Sequence, residues 1–145
     1  MVDGDGDKAS ADLTIHPDLT PPLAADDHIV TLVSSFDVSN GQLLANDQPQ
    51  ENLSITATGN ADHLALTGLG WGELVNLDGG ATSGSFDYTA TAGNGKTDTA
   101  SVAVDLVTNG SETIDESKST IGEILIGDGY ADLIAGGSGD DVLFG

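Results

Sequence analysis

Apolar residues in the middle of the chain recur at alternate positions. Leu53, Ile55 and Ala57 do so, as do Leu64 and Leu66, then Phe86, Tyr88 and Ala90, and finally Val102, Val104 and Leu106. Period two is the spacing of strands that bury one face and wet the other. Ile29, Leu32 and Val33 add a β-prone run upstream. Turn formers separate these runs: Ser39-Asn40-Gly41, Ala45-Asn46-Asp47, Gly59-Asn60, Asp78-Gly79-Gly80 and Gly93-Asn94-Gly95. No segment carries a helical stripe. Past residue 117 the period changes to nine: Leu125, Ile134 and Leu143 share it, as do Glu123, Asp132 and Asp141, and Gly127, Gly136 and Gly145.

The two patterns predict an all-β chain of two kinds. Some seven short strands over residues 20–109 have the size and rhythm of an immunoglobulin-like β-sandwich with one core. Residues 118–145 predict the start of a parallel β-roll. The turn Gly136-Gly137-Ser138-Gly139-Asp140-Asp141-Val142-Leu143-Phe144 fits G-G-x-G-x-D-x-U-x at every fixed position, the nonapeptide of calcium-binding parallel β-helices. Glycine permits the tight turn, the carboxylate at the sixth position is a hard ligand suited to Ca²⁺, and the x-U-x triplet is a short strand. The preceding turn, Gly127 to Ala135, keeps the first Gly, Asp132 and Ile134, but has Asp128 and Tyr130 at two glycine positions. The turn before that, Lys118 to Ile126, keeps Leu125 and puts Glu123 in the acidic position. A flexible Gly/Asp tail would share this composition but not its register. Glu123, Asp128, Asp132 and Asp141, with the backbone at Gly137 and Gly139, are therefore the candidate Ca²⁺ ligands of this region.

Charge strengthens the metal reading. Three lysines, no arginine and 24 acidic residues give a formal charge of −21. Such an excess destabilises a compact state by self-repulsion unless cations neutralise it. It argues against nucleic acid, which needs Lys and Arg for its phosphates, and against anionic membrane surfaces. Solvated acidity alone is the competing explanation; clustering of Asp with Gly and Asn favours metal. No cysteine is present, which excludes disulfides and thiolate metal sites. There is no apolar run long enough to span a bilayer and no N-terminal signal peptide.

Gly127 to Gly145 resembles the RTX repeat region of proteins exported by type I secretion. In that family each ion lies between alternate turns, which puts Asp141 and Glu123 on one side and Asp132 on the other. Ala24-Ala25-Asp26-Asp27, Leu43-Leu44-Ala45-Asn46-Asp47, Gly84-Ser85-Phe86-Asp87-Tyr88 and Asp98-Thr99-Ala100-Ser101-Val102 resemble the cadherin-like or Ig-like extender repeats of large bacterial RTX adhesins. Where many such repeats continue Asn-Asp into Asp-Gly-Asp, this chain has Gln48-Pro49-Gln50-Glu51, which counts against a calcium site at Asp47. Asp7 to Ile15 matches Asp98 to Leu106 at an offset of 91, as if residues 1–19 were the last strand of a preceding repeat plus a linker. The expected organisation is then 1–19 as that strand and linker, 20–109 as the sandwich, 110–117 as a linker and 118–145 as roll turns.

Further acidic groups are candidates for metal. Asp3, Asp5 and Asp7 alternate as at the start of an EF-hand loop, but Lys8 and Thr14 occupy its Gly and Glu positions. Asp26, Asp27 and Asp105 stand near strand ends, where repeat modules share an inter-domain ion. Catalysis has little support: His16, His28 and His63 are scattered, and no G-x-S-x-G is present. Trp71 admits a sugar-stacking role, although a lone Trp in a sandwich more often fills the core. The resemblance implies a non-catalytic, Ca²⁺-stabilised extender module of a secreted adhesin. It would sit at the bacterial cell surface as a monomer, its partners being neighbouring repeats and the type I secretion machinery. The alternatives are the accessory RTX region of a secreted hydrolase or protease, or a carbohydrate-binding module.

Overall fold

A computed structural model describes residues 20–108 and 112–145. Asp3, Asp5, Asp7 and the segment matching Asp98 to Leu106 lie outside the described residues. The strands are β1 (Asp27–Thr31), β2 (Ser35–Ser39), β3 (Leu53–Asp62), β4 (Leu64–Gly68), β5 (Gly72–Leu77), β6 (Ser83–Ala92) and β7 (Thr97–Leu106), followed by β8 (Thr113–Asp115), β9 (Ile124–Ile126), β10 (Leu133–Ala135) and β11 (Val142–Phe144). A helical turn α1 (Asn40–Leu43) and a 3₁₀ turn (Leu44–Asn46) link β2 to the loop before β3.

Seven strands, β1 to β7, form a two-sheet sandwich. One sheet holds β1, β7, β6 and β3 in that order, and the other holds β2, β5 and β4. Between them Ile29, Phe36, Val38, Leu43, Val75, Phe86, Tyr88, Val102 and Val104 make the core. In β6 and β7 every second residue is buried, as the period-two pattern predicts. Strand β1 lies parallel to β7, with Ile29 opposite Val104; β6 and β7 form a long antiparallel hairpin closed by the Gly93-Asn94-Gly95 turn.

The structure departs from the sequence reading in several places. Gly59-Asn60 is not a turn between strands but lies inside β3, where the register slips between Gly59 and Asp62 and Asn60 takes a positive φ of 51°. Asn tolerates that backbone state, so a bulge absorbs the turn signal. Ser39-Asn40-Gly41 opens α1: Ser39 and Gln42 make a reciprocal capping box, each side chain accepting from the other's backbone N–H. The stretch expected as a linker, 110–117, contains β8. Trp71, assigned by preference to the core, is 54% exposed at the β4–β5 turn.

Beyond the sandwich the chain winds in parallel. Strand β9 pairs with the free edge of β1, Leu125 opposite Val30, and β11 pairs with β9, Leu143 opposite Leu125. The larger sheet thus runs β11-β9-β1-β7-β6-β3. Strands β8 and β10 form a separate parallel pair, Ile134 opposite Ile114. Partners in β9 and β11 are two nonapeptides apart in sequence, so alternate turns share a sheet. Val30, Ile114 and Leu125 are buried together, with Leu32, Val107 and Ile134 against them. This second small core rests on the face of β1 that the sandwich core does not use.

Truncating Leu125 should therefore loosen the C-terminal turns without dissolving the sandwich. Leu125→Ala is expected to cost about 2–5 kcal/mol locally. In hydrogen exchange, amides of β9 and β11 should lose protection while those of β6 and β7 keep theirs; uniform loss across both would contradict two separable cores.

Candidate functional site

Polar groups of interest gather in two places. The first is inside the end of the sandwich. Asp47 is fully buried and Asp27 nearly so, at 7% exposure. The loop after the 3₁₀ turn folds Asp47 inward, where its Oδ1 accepts from the Ala25 amide at 2.8 Å. The Tyr88 hydroxyl, projecting from β6, lies 3.1 Å from each Asp47 carboxylate oxygen, 3.0 Å from the Leu43 carbonyl and 3.3 Å from that of Ala25. Asp27 shares the inward face of β1 with Ile29, and its Oδ2 has no hydrogen-bond partner among the described residues.

Burial is the main force on these acids. It raises the Asp27 carboxyl to about 7, with the charges of Asp47 and Asp26 adding to it and polar contact from Tyr88 and Asn46 opposing it. Burial also raises Asp47, against the Ala25 amide and Tyr88. The Tyr88 hydroxyl is pushed well above its ordinary range by burial and by the two carboxylates. Low polarisability around a charge favours its neutral form, which is why all three move upward.

The second place is the stack of nine-residue turns. Asp132 Oδ2 accepts from the Asp128 amide at 3.1 Å, and a Cβ on Gly127 would stand 2.0 Å from that same oxygen. Asp141 repeats the arrangement, with its Oδ2 2.3 Å from where a Gly136 Cβ would be. The Gly at position one and the acid at position six are thus one device: the carboxylate folds back over a backbone that must be bare. Asp141 Oδ1 also accepts from the Glu123 amide at 3.1 Å, bringing Glu123 and Asp141 together across two turns. Gly137 and Gly139 press on the carbonyls of Ser119 and Ile121, which a Cβ would meet at 2.0 and 2.1 Å. Ser138 N donates to that Ser119 carbonyl at 3.0 Å. Asp128 accepts from the Tyr130 amide in an exposed turn.

The remaining expected ligands do not converge. Asp26 accepts from the Ser101 amide, and Asp105 pairs with His28 Nε2 at 2.9 Å on the surface, whereas Asp27 turns inward. No group of three or more His, Asp and Glu side chains is gathered for a metal among the described residues. The donor set in the turns still suits a hard cation. Glu123 is 2% exposed, and its Oε2, like Asp132 Oδ1, is buried without a hydrogen-bond partner; close backbone carbonyls supply neutral oxygens. A cleft of about 950 Å³ lies where sandwich meets turns, lined among others by Asp26, Asp27, His28, Asn46, Glu123 and Asp141. The sequence marks Tyr88 only as part of a buried alternation and discounts Asp47; their meeting inside the sandwich is visible only in the folded chain.

A family profile described as Bacterial Ig domain matches residues 19–105. Comparison with curated proteins and with solved structures finds no match.

The buried acids make stability depend on pH with a definite sign. An unfolded Asp27 ionises near 3.8 and the folded one near about 7. Between those values the folded chain holds a proton that the unfolded chain has lost, so stability falls as pH rises through that window. In metal-free buffer the urea midpoint should drop between about pH 4.5 and 7.5 as the unfolding free energy falls by on the order of a few kcal/mol. Asp27→Asn should flatten that slope; an unchanged slope would mean that Asp27 does not carry it.

Proposed function

The chain belongs to the bacterial Ig domain family, and from that premise we propose that it is a Ca²⁺-stabilised extender module of a secreted surface adhesin, running into the first turns of an RTX β-roll. Ig domains of this kind are generally structural and non-catalytic, and are typical of surface and extracellular proteins. The observation that carries the rest is the parallel pairing of β11 with β9 two nonapeptides apart. That pairing brings Glu123 to Asp141 and sets the bare backbone of Gly137 and Gly139 against the Ser119 and Ile121 carbonyls.

Glu123 and Asp141, with those carbonyls, would hold Ca²⁺ on one side of the roll, and Asp132 would belong to the other. Bound there, the ion supplies positive charge that offsets carboxylate repulsion in a chain of formal charge −21. The chain's own residues do the shaping. Gly127 and Gly136 leave room for the acid of their turn, and Leu125 and Ile134 fill the small core. At the affinities of about 10⁻⁴ to 10⁻³ M common for extracellular sites, such turns would stay loose in a low-calcium cytosol and close after type I export. A second reading is favoured by the exposure of Trp71: an aromatic platform for a sugar ring at the β4–β5 turn, which a glycan screen with Trp71→Ala as control decides.

Thermal unfolding followed by circular dichroism in EDTA, and then in about 10 mM Ca²⁺, tests the main reading. With the affinities above, Ca²⁺ should add about 1.4–2.7 kcal/mol, a rise of about 4–10 °C. Mg²⁺ at equal concentration should do much less, and Asp141→Asn should remove most of the gain. An equal rise with Mg²⁺ would reduce the acids to a solvated surface.

A further inference from the structure

We propose that the notch between β3 and the β4–β5 turn, beside Trp71, is a binding site for one neutral hexopyranose ring, with Glu73 and Asn40 as its hydrogen-bonding groups. The proposal rests on the reading of Trp71 as a sugar platform and adds the pocket, the ring size and the charge of the ligand. It shares no residue with the acids of the nine-residue turns.

Strand β3 is the last of the larger sheet and β4 the last of the smaller, and the two follow one another in the chain through His63. Between β3 and the turn after β4 lies a notch of about 250 Å³. Ile55 to Thr58 form one wall, and Gly68, Gly70 and Gly72 line it from the other side, together with Asn40 and Glu73. The glycines keep that side bare. A Cβ at Gly72 would stand 2.2 Å from the Val38 carbonyl, and Gly70 takes a φ of 82° that side chains rarely tolerate. Trp71 stands between these two, 54% exposed. Its turn is fixed: Leu69 N donates to the Gly72 carbonyl at 2.8 Å, and Asn40 N donates to the Trp71 carbonyl at 3.0 Å.

The polar groups of the notch are only half used. Glu73 is half-buried, and its Oε1 accepts from the Thr58 hydroxyl at 2.9 Å. Its Oε2 meets no donor, and the Asn40 side-chain amide has no partner, among the described residues. A carboxylate and an amide beside an exposed indole match the chemistry of a pyranose. Ring hydroxyls donate to the carboxylate, in bonds that its charge strengthens, and both donate to and accept from the amide. The C–H face of the ring packs on the indole. A volume just below the range of about 300–1,000 Å³ usual for drug-sized ligands admits one ring and not a chain. No Lys, Arg or His lines the notch, and the chain's formal charge is −21, so an acidic sugar would meet like charge. An aromatic platform alone makes neither distinction.

Trp71 is the one tryptophan of the chain, so its fluorescence reports on this place alone. Titration of the full chain with glucose, galactose, mannose and N-acetylglucosamine should shift that emission for at least one of them, with a Kd of about 1 mM. Glucuronate should leave it unchanged. For the sugar that binds, Glu73→Gln and Asn40→Ala should each weaken binding by more than about tenfold, as in a site that loses its partner for a hydroxyl. Gly68→Val, whose Cβ would meet only the Glu73 carboxylate, at 3.9 Å, should fill the notch and abolish binding with the melting temperature unchanged. Saturation-transfer NMR reads the same titrations for Trp71→Ala, which lacks the fluorophore. Binding that Trp71→Ala removes but the other three variants leave intact overturns the pocket and keeps the platform. No response to any of the four sugars by either method overturns both. Glucuronate binding as tightly as the neutral sugars overturns the site as well.

Discussion

Strand β1 is the element on which the other parts depend. Both of its edges are hydrogen-bonded, to β7 on one side and β9 on the other, and all of its residues but His28 are buried. Ile29 points into the sandwich core and Val30 into the small core with Leu125 and Ile114. A parallel strand covered in this way, with only His28 reaching the surface, shows little of the alternation of a half-wet strand. Two packing units share it, and a change in its register would misplace residues in both at once.

That sharing also solves an edge problem. Without β9, the outer edge of β1 would be a row of unpaired amides and carbonyls, a template for unwanted pairing. The nine-residue turns close it with strands of three residues each, too short to be stable alone. They are held by a longer strand that is already fixed by β7. The sandwich therefore supplies the order that the first turns lack, and the glycine–acid device described above supplies the curvature.

Legibility in the sequence followed exposure. Strands β3, β4, β6 and β7 have one face toward water over much of their length, and their alternation of Leu, Ile, Phe, Tyr and Val announced them. Strands β2 and β5 were lost because Phe36 and Val38, or Val75 and Leu77, offer too few apolar positions among turn-forming neighbours. The turn region was legible for a different reason: Gly136 to Phe144 has a local code, in which the acid must sit five residues after a bare glycine. Asp47 is discounted in the sequence because the loop after it runs Gln48-Pro49-Gln50-Glu51 in place of Asp-Gly-Asp. Its burial arises from long-range packing against Tyr88, 41 residues away, which no local pattern encodes. Trp71 was misread since size and hydrophobicity argue for the core, whereas its place between Gly70 and Gly72 at a tight turn leaves it nowhere to go but outward.

The parallel order of β7, β1, β9 and β11 has a mechanical consequence. Tension entering before Asp27 and leaving after Phe144 pulls β1 and β11 in opposite directions along their common axis. Every backbone hydrogen bond between β11 and β9, and between β9 and β1, is then loaded in shear and resists as a group. An antiparallel hairpin such as β6–β7, pulled from its two open ends, would instead unzip one pair at a time. Stretched end to end, the chain would draw its resistance from strand direction alone, before any side chain or ion is counted.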